Sequence, residues 1–269
     1  MISFPNCKIN LGLNVISKRK DGYHNIETCM VPVYGLKDVV EIIRSKNDGV
    51  DFTTSGKTID CPSEKNICVK AYRLIQEKFG IGGVKMHLHK NIPFGAGLGG
   101  GSADAVAVIK LLNEIYGLGM DTGMTRKLSL MLGSDTAFFV ENVPAVCYGR
   151  GDITEKISLD LTGYFLVLVK PDVSVSTAEA YGSIDLKKTN KPVAEILRNG
   201  IDTWEYNLVN DFEDYVFSKY PELEDIKSQL YDAGAVYASM SGSGSAIYGL
   251  FETKPEGLKF EIENYLFNL

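Results

Sequence analysis

The stretch N-I-P-F-G-A-G-L-G-G-G-S-A-D, residues 91–104, decides how this 269-residue chain is interpreted. Five of the seven residues from 95 to 101 are glycines, and an apolar pattern of helical period follows at once. Because glycine has no Cβ atom, such a segment can adopt positive φ angles and bring its N–H groups against an anion. The next helix adds unpaired N–H groups and the positive end of its dipole. The stretch therefore predicts a phosphate-binding loop, and a flexible turn is the alternative.

Three familiar glycine-rich loops fit this stretch poorly. The dinucleotide pattern G-x-G-x-x-G matches at Gly95, Gly97 and Gly100, but a long helix follows where a second strand is needed. A Walker loop would end in Lys-Ser or Lys-Thr, and neither pair ends this stretch. The H-R-D and D-F-G motifs of protein kinases are also missing from the sequence.

Composition limits the classes of function. The net charge is −6 and the basic residues are scattered, which speaks against a nucleic-acid partner. The number of cysteines, five, is odd, and no two of them form a C-x-x-C pair. We therefore expect buried thiols in a reducing cytoplasm. The first residues do not resemble a signal peptide, and the longest apolar runs are too short to span a bilayer. We therefore expect a cytoplasmic protein without a membrane partner.

Periodicity predicts an α+β chain. The strands are expected at residues 8–15, 39–43, 84–89, 164–169, 236–239 and 246–251, and the helices at 66–79, 102–116, 125–132 and 222–232. Ser102 is the expected N-cap of the second helix, and Gly133 the residue that ends the third. A polar, turn-rich segment suggests one domain boundary near residue 155, with an α+β lobe on each side.

Residues 84–89 alternate between apolar and polar side chains. Val84, Met86 and Leu88 are expected to face a core, with His87 and His89 on the opposite face. Two histidines at this spacing could share a metal ion, but no third ligand lies nearby in the sequence. An exposed strand face is the favoured interpretation.

The loop resembles that of a known family. Residues 93–102 are similar to the P-x-x-x-G-L-G phosphate loop of the GHMP small-molecule kinases, which act on galactose, homoserine, mevalonate and phosphomevalonate. Further similar segments follow in the family's order over nearly the whole chain: C-K-I-N at 7–10, K-D-G-Y-H at 20–24, K-N-I at 65–67, L-G-S-D at 132–135 with F-F at 138–139, V-S-T-A-E-A-Y at 175–181 and S-M-S-G-S-G at 239–244.

The resemblance implies a fold and a reaction. The fold would be the two-lobed α+β GHMP kinase fold, with an N-terminal ribosomal-S5-like lobe (1–155) and a C-terminal ferredoxin-like lobe (156–269). The cofactors would be ATP and Mg²⁺. The triple glycine narrows the resemblance to members whose substrate carries a cytidine diphosphate group. The implied reaction is phosphorylation of the 2-hydroxyl of a cytidylylated methylerythritol in the non-mevalonate route to isoprenoids.

Other functions remain as alternatives. Within the family, the alternative is a kinase of the homoserine or mevalonate type. Outside it, a non-catalytic nucleotide-binding module and an RNA-binding protein are the competing classes, because the N-terminal lobe resembles a ribosomal-protein fold. The presence of both Lys8 and Asp135 argues against the binding module, and the acidic charge argues against RNA binding. The chain is expected to be a monomer or a homodimer.

The resemblance assigns the catalytic roles to Lys8 and Asp135. Asp135 would take the proton of the substrate hydroxyl, and partial burial near Phe138 and Phe139 would strengthen it as a base. The alternative is an N-cap of the next short helix. Lys8 would point at Asp135 and stabilise the developing alkoxide. The alternative for Lys8 is the solvent face of an edge strand.

The resemblance also assigns two binding sets. The expected ATP-binding residues are Asn66, Pro93, Gly95, Ala96, Gly97, Leu98, Gly99, Gly100, Gly101, Ser102 and Ala103. Ser102 is also the nearest candidate hydroxyl for Mg²⁺. The expected substrate-binding residues are Asn10, Tyr23, His24, Thr177, Tyr181, Ser241 and Gly242.

Within the substrate set, Tyr23 and Tyr181 are expected to sandwich the pyrimidine, while His24 selects cytosine by hydrogen bonds. The alternative is that Tyr23 is an ordinary turn residue and that Tyr181 only packs against its neighbours. Plainer roles also remain for Asn66, as a helix N-cap, and for residues 241–244, as a plain hairpin.

Three departures from the family pattern accompany these similarities. Cys7 replaces a usual Ala, and Ala137 stands where Pro is usual. Ala103 and Asp104 stand where Ser and Asn are common, and Asp104 is expected to put one more carboxylate near the phosphates.

Overall fold

The computed structural model describes residues 1–184, 186, 191–258 and 260–269. The strands, in chain order, are β1 (Ile2–Ser3), β2 (Asn6–Lys18), β3 (His24–Lys37), β4 (Val39–Arg44), β5 (Val50–Gly56), β6 (Val84–Lys90), β7 (Ala145–Tyr148), β8 (Ile153–Lys156), β9 (Phe165–Lys170), β10 (Tyr237–Met240), β11 (Ile247–Phe251) and β12 (Glu263–Asn268). The helices are α1 (Ile67–Phe79), α2 (Gly100–Tyr116), α3 (Thr122–Ser129), α4 (Thr136–Glu141), α5 (Thr177–Gly182), α6 (Val193–Ile196), α7 (Trp204–Asn207), α8 (Glu213–Lys219) and α9 (Pro221–Asp232).

The chain forms two compact units that are interleaved in sequence. The first unit contains Met1–Lys8, Pro32–Phe94 and Gly99–Val143, and the second contains Ile9–Val31, Gly95–Leu98 and Pro144–Leu269. This division differs from the single boundary expected near residue 155. The reason is that β2 and β3 are long strands, each of which contributes residues to both units.

In the first unit, a sheet of order β1-β4-β6-β5 supports two helices. β6 pairs antiparallel with β4 and parallel with β5. The apolar face predicted for β6 is confirmed, since Val84, Met86 and Leu88 are all buried. They join one hydrophobic core with side chains from α1 and α2, among them Tyr72 and Val108. This core holds the N-terminus of α2, and with it the end of the glycine-rich segment.

The opposite face of β6 carries the two histidines. His87 lies within hydrogen-bond distance of Thr53 and Ser55 on β5, at 2.8 Å from each hydroxyl. His89 lies 2.8 Å from the Ser55 hydroxyl. The hydroxyls thus lie against both ring nitrogens of His87 and Nδ1 of His89, on a half-exposed strand face.

In the second unit, a sheet of order β10-β11-β9-β12 packs against α9, and all its pairings are antiparallel. Its core includes Phe212, Val216, Leu230 and Ile247, all almost completely buried. The remaining sheet has the order β2-β3-β7-β8. The tight turn between β10 and β11 holds residues 241–246, the S-G-S-G segment that the sequence singled out.

Two of the predicted helices have wrong ends. α2 begins at Gly100 with Gly99 as its N-cap, so Ser102 lies inside the first turn and does not cap the helix. Gly99 adopts φ 69° and its carbonyl accepts from the Ala103 N–H, so the helix begins two residues earlier than the predicted residue 102. α3 spans Thr122–Ser129, and Asp121 caps its start by accepting from the Met124 N–H at 2.7 Å. The end predicted at Gly133 is also wrong, because Leu130 is the C-cap of this helix.

Among the described residues, no helix is both long enough and apolar enough to cross a bilayer.

Candidate active site

Lys8 and Asp135 form an ion pair in the first unit. The Nζ of Lys8 lies 3.7 Å from Oδ2 of Asp135. The Lys8 side chain is 3% exposed and that of Asp135 is 37% exposed. The alternative of a solvent-facing Lys8 is therefore wrong, and its predicted approach to Asp135 is confirmed. The pair presents one accessible carboxylate with a buried cation beside it.

Asp135 directly precedes α4, as an N-cap would. Within the described contacts, however, its side chain makes no capping hydrogen bond to the helix. The other end of α4 is fixed by Lys110, whose ammonium donates to the carbonyls of Phe139 and Val140 at 3.2 and 2.8 Å. Because α4 is only six residues long, this anchor also fixes the residue at its start. The Asp135 carboxylate is thus held in place without being used as a cap.

The pair has the properties required for transfer to an alcohol. A carboxylate within hydrogen-bond reach of a hydroxyl can orient it and accept its proton. An ammonium fixed beside the same position stabilises negative charge as it develops on the oxygen, and does so most strongly where water is excluded. Lys8 is almost completely buried, so its position is set by packing before any ligand arrives.

Gly99 and Gly100 lead into α2 in close contact with these groups. A Cβ added at Gly99 would lie 2.9 Å from the Phe139 ring and 3.1 Å from Cε of Lys8. One added at Gly100 would lie 2.8 Å from the Ile92 side chain. Both positions therefore exclude side chains because protein atoms fill the space. Gly101 is different, since its Cβ would make only an ordinary contact of 3.6 Å with Ile67.

Asn66 and Pro93 are the other members of the predicted ATP set in this unit, together with Ser102 and Ala103. Asn66 is the N-cap of α1, because its Oδ1 accepts from the Cys68 N–H at 2.9 Å. Its capping role is confirmed, while its role towards adenine stays a prediction. Pro93 and Ala103 are buried, and Ser102 is half-buried in the first turn of α2.

The glycine-rich segment itself, residues 95–98, belongs to the second unit and packs on the turn after β10. Gly97 has φ 75°, and a Cβ there would lie 1.9 Å from the carbonyl oxygen of Ser241. The Ser241 hydroxyl donates to the Gly97 carbonyl at 2.9 Å, and the Ala246 N–H donates to the Ala96 carbonyl at 3.2 Å. Leu98 is buried. The glycine at 97 is required by the protein's own backbone, whatever ligand the loop receives.

Two residues that no motif singled out hold this turn. The Asn210 amide donates to the carbonyls of Met240 and Gly242, both at 2.8 Å. The buried Glu213 carboxylate accepts from the Met240 N–H at 2.7 Å. Asn210 follows directly on two apolar residues, Leu208 and Val209, so its sequence context gave no signal of this role.

Asn10 and Thr28 make a buried polar pair in the second unit. The Asn10 amide donates to Oγ1 of Thr28 at 3.0 Å, and the Asn10 N–H donates to the Ser241 hydroxyl at 3.3 Å. A Cβ at Gly242 would lie 3.2 Å from Oδ1 of Asn10, so Gly242 also lies directly against this residue. Asn10 is therefore held by neighbours that include the predicted substrate residue Ser241.

The predicted aromatic residues do not all come together. His24 stacks on Tyr181, with ring centroids 4.9 Å apart and planes inclined by 16°. Tyr181 meets the edge of Phe212 at 4.8 Å. Tyr23 is 55% exposed, and its ring lies 5.0 Å from the Arg150 guanidinium. The ring that faces Tyr181 in this structure is therefore that of His24, and the Tyr23–Tyr181 sandwich stays a prediction.

Thr177 is the first residue of α5. Its hydroxyl lies 2.9 Å from that of Ser243, in the turn that also contains Ser241 and Gly242. The structure thus brings three predicted substrate residues of the second unit to one turn.

The expectation for Asp104 is wrong. Its carboxylate is 1% exposed and accepts from the Lys90 ammonium at 2.7 Å, so it faces the core of the first unit and adds no carboxylate at the phosphates. Among the described residues, no three His, Cys, Asp or Glu side chains group as a metal site. Mg²⁺ is typically held by one or two protein oxygens and by substrate phosphates. The half-buried Ser102 hydroxyl fits that small requirement.

Comparisons with known proteins agree with this geometry. Residues 66–150 match the model of the GHMP kinases N terminal domain, and residues 186–266 match that of the GHMP kinases C terminal domain. The 4-diphosphocytidyl-2-C-methyl-D-erythritol kinase of Cytophaga hutchinsonii is 47% identical, over 95% of this chain and 94% of that protein. The chain belongs to the 4-diphosphocytidyl-2-C-methyl-D-erythritol kinases.

Further relatives support the assignment to this kinase family. The corresponding kinase of Parabacteroides distasonis is also 47% identical, over 96% of this chain and 94% of that protein. The crystal structure of a 4-(cytidine 5'-diphospho)-2C-methyl-D-erythritol kinase aligns with a TM-score of 0.80 and 32% identity, covering 93% of this chain and 90% of that one. The chain is thus an ATP-dependent small-molecule kinase with the two-domain GHMP fold, mixed α+β with three sheets.

A mevalonate kinase from Methanococcus jannaschii shows how far the fold extends. It aligns with a TM-score of 0.75 over 99% of this chain and 97% of that one, but at 16% identity. At that identity the similarity concerns the fold alone.

Proposed function

We propose that this kinase transfers the γ-phosphoryl group of ATP to the 2-hydroxyl of 4-diphosphocytidyl-2-C-methyl-D-erythritol, in the non-mevalonate route to isoprenoid precursors. The observation that carries the proposal is the Lys8–Asp135 pair, which supplies a base and a cation in a chain that matches kinases of this name over nearly its full length. The family's other substrates, mevalonate and homoserine, belong to proteins that share only the fold.

The mechanism uses few protein groups. Phosphoryl transfer passes through a loose transition state, so positioning and charge stabilisation provide most of the catalysis. Asp135 orients the 2-hydroxyl and accepts its proton as the oxygen attacks the γ-phosphorus. The bond from the γ-phosphorus to the β,γ-bridging oxygen breaks, and that oxygen leaves as part of ADP. Lys8 stabilises the negative charge on the attacking oxygen. The N–H groups of the glycine-rich loop and of the first turn of α2 receive the phosphate oxygens.

Magnesium is the expected partner of ATP in this reaction. When bound, it neutralises charge on the β- and γ-phosphates. Ser102 would hold it through its hydroxyl, and the remaining ligands would be phosphate oxygens and water.

The cytidine end of the substrate is assigned to the aromatic residues of the second unit. Burial, aided by the charge of Lys18, lowers the pKa of His24 below its ordinary value. The ring is therefore neutral at pH 7, with one nitrogen as donor and the other as acceptor. A neutral imidazole can pair with both kinds of group on the cytosine edge. Tyr181 offers a flat face for stacking, and Tyr23 is accessible as the second ring once the base has entered.

An acceptor panel tests the proposal. ADP release is measured with the purified kinase, Mg·ATP and each of three acceptors: the cytidylylated methylerythritol, mevalonate and homoserine. We expect kcat/KM for the first to exceed that for the others by about 10⁴-fold or more, since a site built to hydrogen-bond a substrate group rejects an analogue that lacks the group by about 10⁴- to 10⁵-fold. Comparable rates with mevalonate or homoserine would move the assignment to another branch of the family.

The location and partners follow from the same proposal. Cys7, Cys29 and Cys68 are buried thiols, and burial raises the pKa of Cys7 to about 12. Such thiols fit the reducing cytoplasm in which the substrate would be met. The partner is this small molecule, and no nucleic acid is expected. The kinase is expected to be a monomer or a homodimer, and light scattering would distinguish the two.

A further inference from the structure

Two turns lie at one end of the sheet β2-β3-β7-β8, in the second unit. One contains residues 19–23 and joins β2 to β3, and the other contains residues 149–152 and joins β7 to β8. Because β3 and β7 are antiparallel neighbours, the start of β3 and the end of β7 lie together. The first turn carries Tyr23, the predicted second ring of the cytidine pocket. The second carries Arg150, which the mechanism above does not use.

The Arg150 side chain lies over the ring of Tyr23. Its guanidinium carbon is 5.0 Å from the ring centroid, which is the distance of a cation–π contact. Tyr23 is 55% exposed and the Arg150 side chain is 33% exposed, so neither is fixed by burial in a core. An exposed aromatic side chain keeps rotational freedom, which it loses when a base stacks on it. A planar guanidinium over one face of the ring removes part of that freedom in advance.

The turn that carries Arg150 also fixes it. Oδ1 of Asp152 accepts from the Arg150 N–H at 2.8 Å, and Oδ2 accepts from the guanidinium at 3.4 Å. Gly149 has φ 66°, and a Cβ there would lie 2.7 Å from Oδ1 of Asp152, so this arrangement requires glycine. The Gly149 carbonyl accepts from the Ile26 N–H at 2.7 Å, which ties the turn to β3 two residues beyond His24. The guanidinium is thus held by Asp152, and its turn is held by β3.

The turn that carries Tyr23 fixes the backbone of this residue. The Arg19 N–H donates to the Tyr23 carbonyl at 2.8 Å, and the Tyr23 N–H donates to Oδ1 of Asp21 at 3.2 Å. The Arg19 guanidinium donates to both oxygens of Asp21, at 3.2 and 3.1 Å. These bonds from Arg19 lower the pKa of Asp21, and the charge of Arg150 acts in the same direction. The backbone of Tyr23 is therefore set by its own turn, whereas the cation over its ring comes from the other turn.

We propose that Arg150 is a positioning residue for the cytidine end of the substrate: its guanidinium covers one face of the Tyr23 ring and holds the other face ready for the pyrimidine. The inference rests on the proposed function, because it concerns the substrate pocket of the same reaction. Arg150 acts through Tyr23 and does not touch the substrate. Stacking tolerates any base, so the contact contributes affinity for the nucleobase, while the selection of cytosine stays with His24.

This role differs from a direct contact with the diphosphate of the substrate. A cation that binds phosphate groups improves the affinity for CDP and leaves the affinity for cytidine, which has no phosphate, unchanged. A cation that positions Tyr23 improves both affinities by the same factor. A cation–π contact that becomes desolvated when the base binds corresponds to about a five- to tenfold change in Kd.

The test is calorimetry with two probes, cytidine and CDP, on the purified kinase without ATP. We expect Arg150→Met to raise Kd about five- to tenfold for both probes. The matched control is Arg44→Met, because the Arg44 guanidinium carbon lies 4.6 Å from the Tyr116 ring centroid in the first unit. It should leave both Kd values unchanged.

Three results of this calorimetry would overturn the proposal. A loss confined to CDP would assign Arg150 to the diphosphate. A lower Kd in Arg150→Met than in the wild type would show that the guanidinium occupies the face that the base needs. Equal Kd values in Arg150→Met, Arg44→Met and the wild type would leave Arg150 with no part in binding.

A double-mutant cycle shows whether Arg150 acts through Tyr23. In a Tyr23→Ala background, Arg150→Met should change Kd for CDP by less than about twofold, because the ring that it positions is gone. An undiminished loss in that background would contradict the proposal. Arg150→Lys keeps the charge without the planar group, so its Kd values should lie between those of the wild type and Arg150→Met. If Arg150→Met were not to fold, Arg150→Lys would carry the same comparison of cytidine with CDP.

Kinetics provide a readout that a purely structural role would not give. Arg150→Met should raise KM for the cytidylyl substrate about five- to tenfold and leave kcat and KM for ATP within about twofold of the wild type. A lowered kcat or a raised KM for ATP would contradict a role confined to the cytidine end. A wild type that binds neither cytidine nor CDP would remove the proposed function together with this pocket. A wild type that binds both, but no better than Arg150→Met, would remove this inference alone.

Discussion

Asp135 has an accessible carboxylate, and a buried cation lies beside it. The Lys8 ammonium is fixed by burial, and α4 is anchored at its far end by Lys110, so the carboxylate has little freedom to move. Its side chain does not cap α4 in the described structure. A change at this residue should therefore affect chemistry much more than folding.

We predict that Asp135→Asn lowers kcat by about 10²- to 10⁴-fold, the usual contribution of a positioned general base. The amide has the same shape but cannot accept the hydroxyl proton. Because the side chain is 37% exposed and makes no capping hydrogen bond in the described structure, the Tm should change little. ADP release with the cytidylyl substrate and a thermal scan measure the two effects. Retention of more than about a tenth of the wild-type rate would remove Asp135 from the role of base.

The second prediction at this scale concerns the cytidine pocket. Tyr181→Ala should raise KM for the cytidylyl substrate by about ten- to a hundredfold, since stacking on one aromatic ring is worth about 1–3 kcal/mol. His24→Ala should mainly reduce the preference for cytidine over uridine, because the imidazole supplies hydrogen bonds and not only a surface. The KM for ATP is the internal control in both variants. Equal use of cytidine and uridine substrates by the wild type would refute this pocket.

At the scale of elements, the glycines of the glycine-rich loop differ in their backbone conformation and in the space around them. Gly95 and Gly97 both have positive φ, at 65° and 75°. Gly95 has open space where a Cβ would lie, whereas Gly97 abuts the Ser241 carbonyl at 1.9 Å. The φ of Gly101 is not positive, and its Cβ would make an ordinary contact. Three alanine substitutions can therefore separate backbone conformation from steric contact.

We predict that ATP affinity falls in the order Gly101→Ala, Gly95→Ala, Gly97→Ala. The first should bind like the wild type. The second should lose about tenfold, because an alanine in the left-handed region costs about 1–2 kcal/mol. The third adds a clash with the backbone and should lose binding almost completely. Calorimetry with Mg·ATP measures the series, and a Gly97→Ala protein that binds as well as Gly101→Ala would return this segment to the status of a flexible turn.

The elements also show what sequence patterns can and cannot predict. The period-two pattern of residues 84–89 predicted the buried face of β6 correctly, because burial alone determines it. The preference for serine as an N-cap predicts a start at Ser102, but Gly99, with its left-handed φ, is the N-cap of α2. Lys90 continues the alternation of Val84, Met86 and Leu88, whose side chains are buried. This alternation is the sequence pattern that could have predicted a buried Lys90 side chain.

On the scale of the whole molecule, the motifs predicted the chemistry of the site better than they predicted the division of the chain into units. The ordered similarity along nearly the full chain identified the kinase family, and the Lys8–Asp135 proximity was confirmed. The interleaved units were not predicted. Periodicity shows which face of a strand is buried, but it does not show which hydrophobic core each end of the strand joins. The stacking of His24 on Tyr181 was likewise inaccessible, because their separation in sequence carries no information on ring contact.

The last prediction joins binding and stability in the intact protein. A ligand that binds only the folded state stabilises it by about 2.7 kcal/mol at a hundred times its Kd. For chains near the 269 residues of this one, 1 kcal/mol moves Tm by about 2–4 °C, so Mg·ATP at about a hundred times its Kd should raise Tm by about 5–10 °C. Asp135→Asn should show the full shift, because the base is not needed to hold the nucleotide. Gly97→Ala should show almost none, and Gly101→Ala is its matched control. A shift lost in Asp135→Asn but kept in Gly97→Ala would reverse the assignment, placing nucleotide binding at the carboxylate and not at the loop.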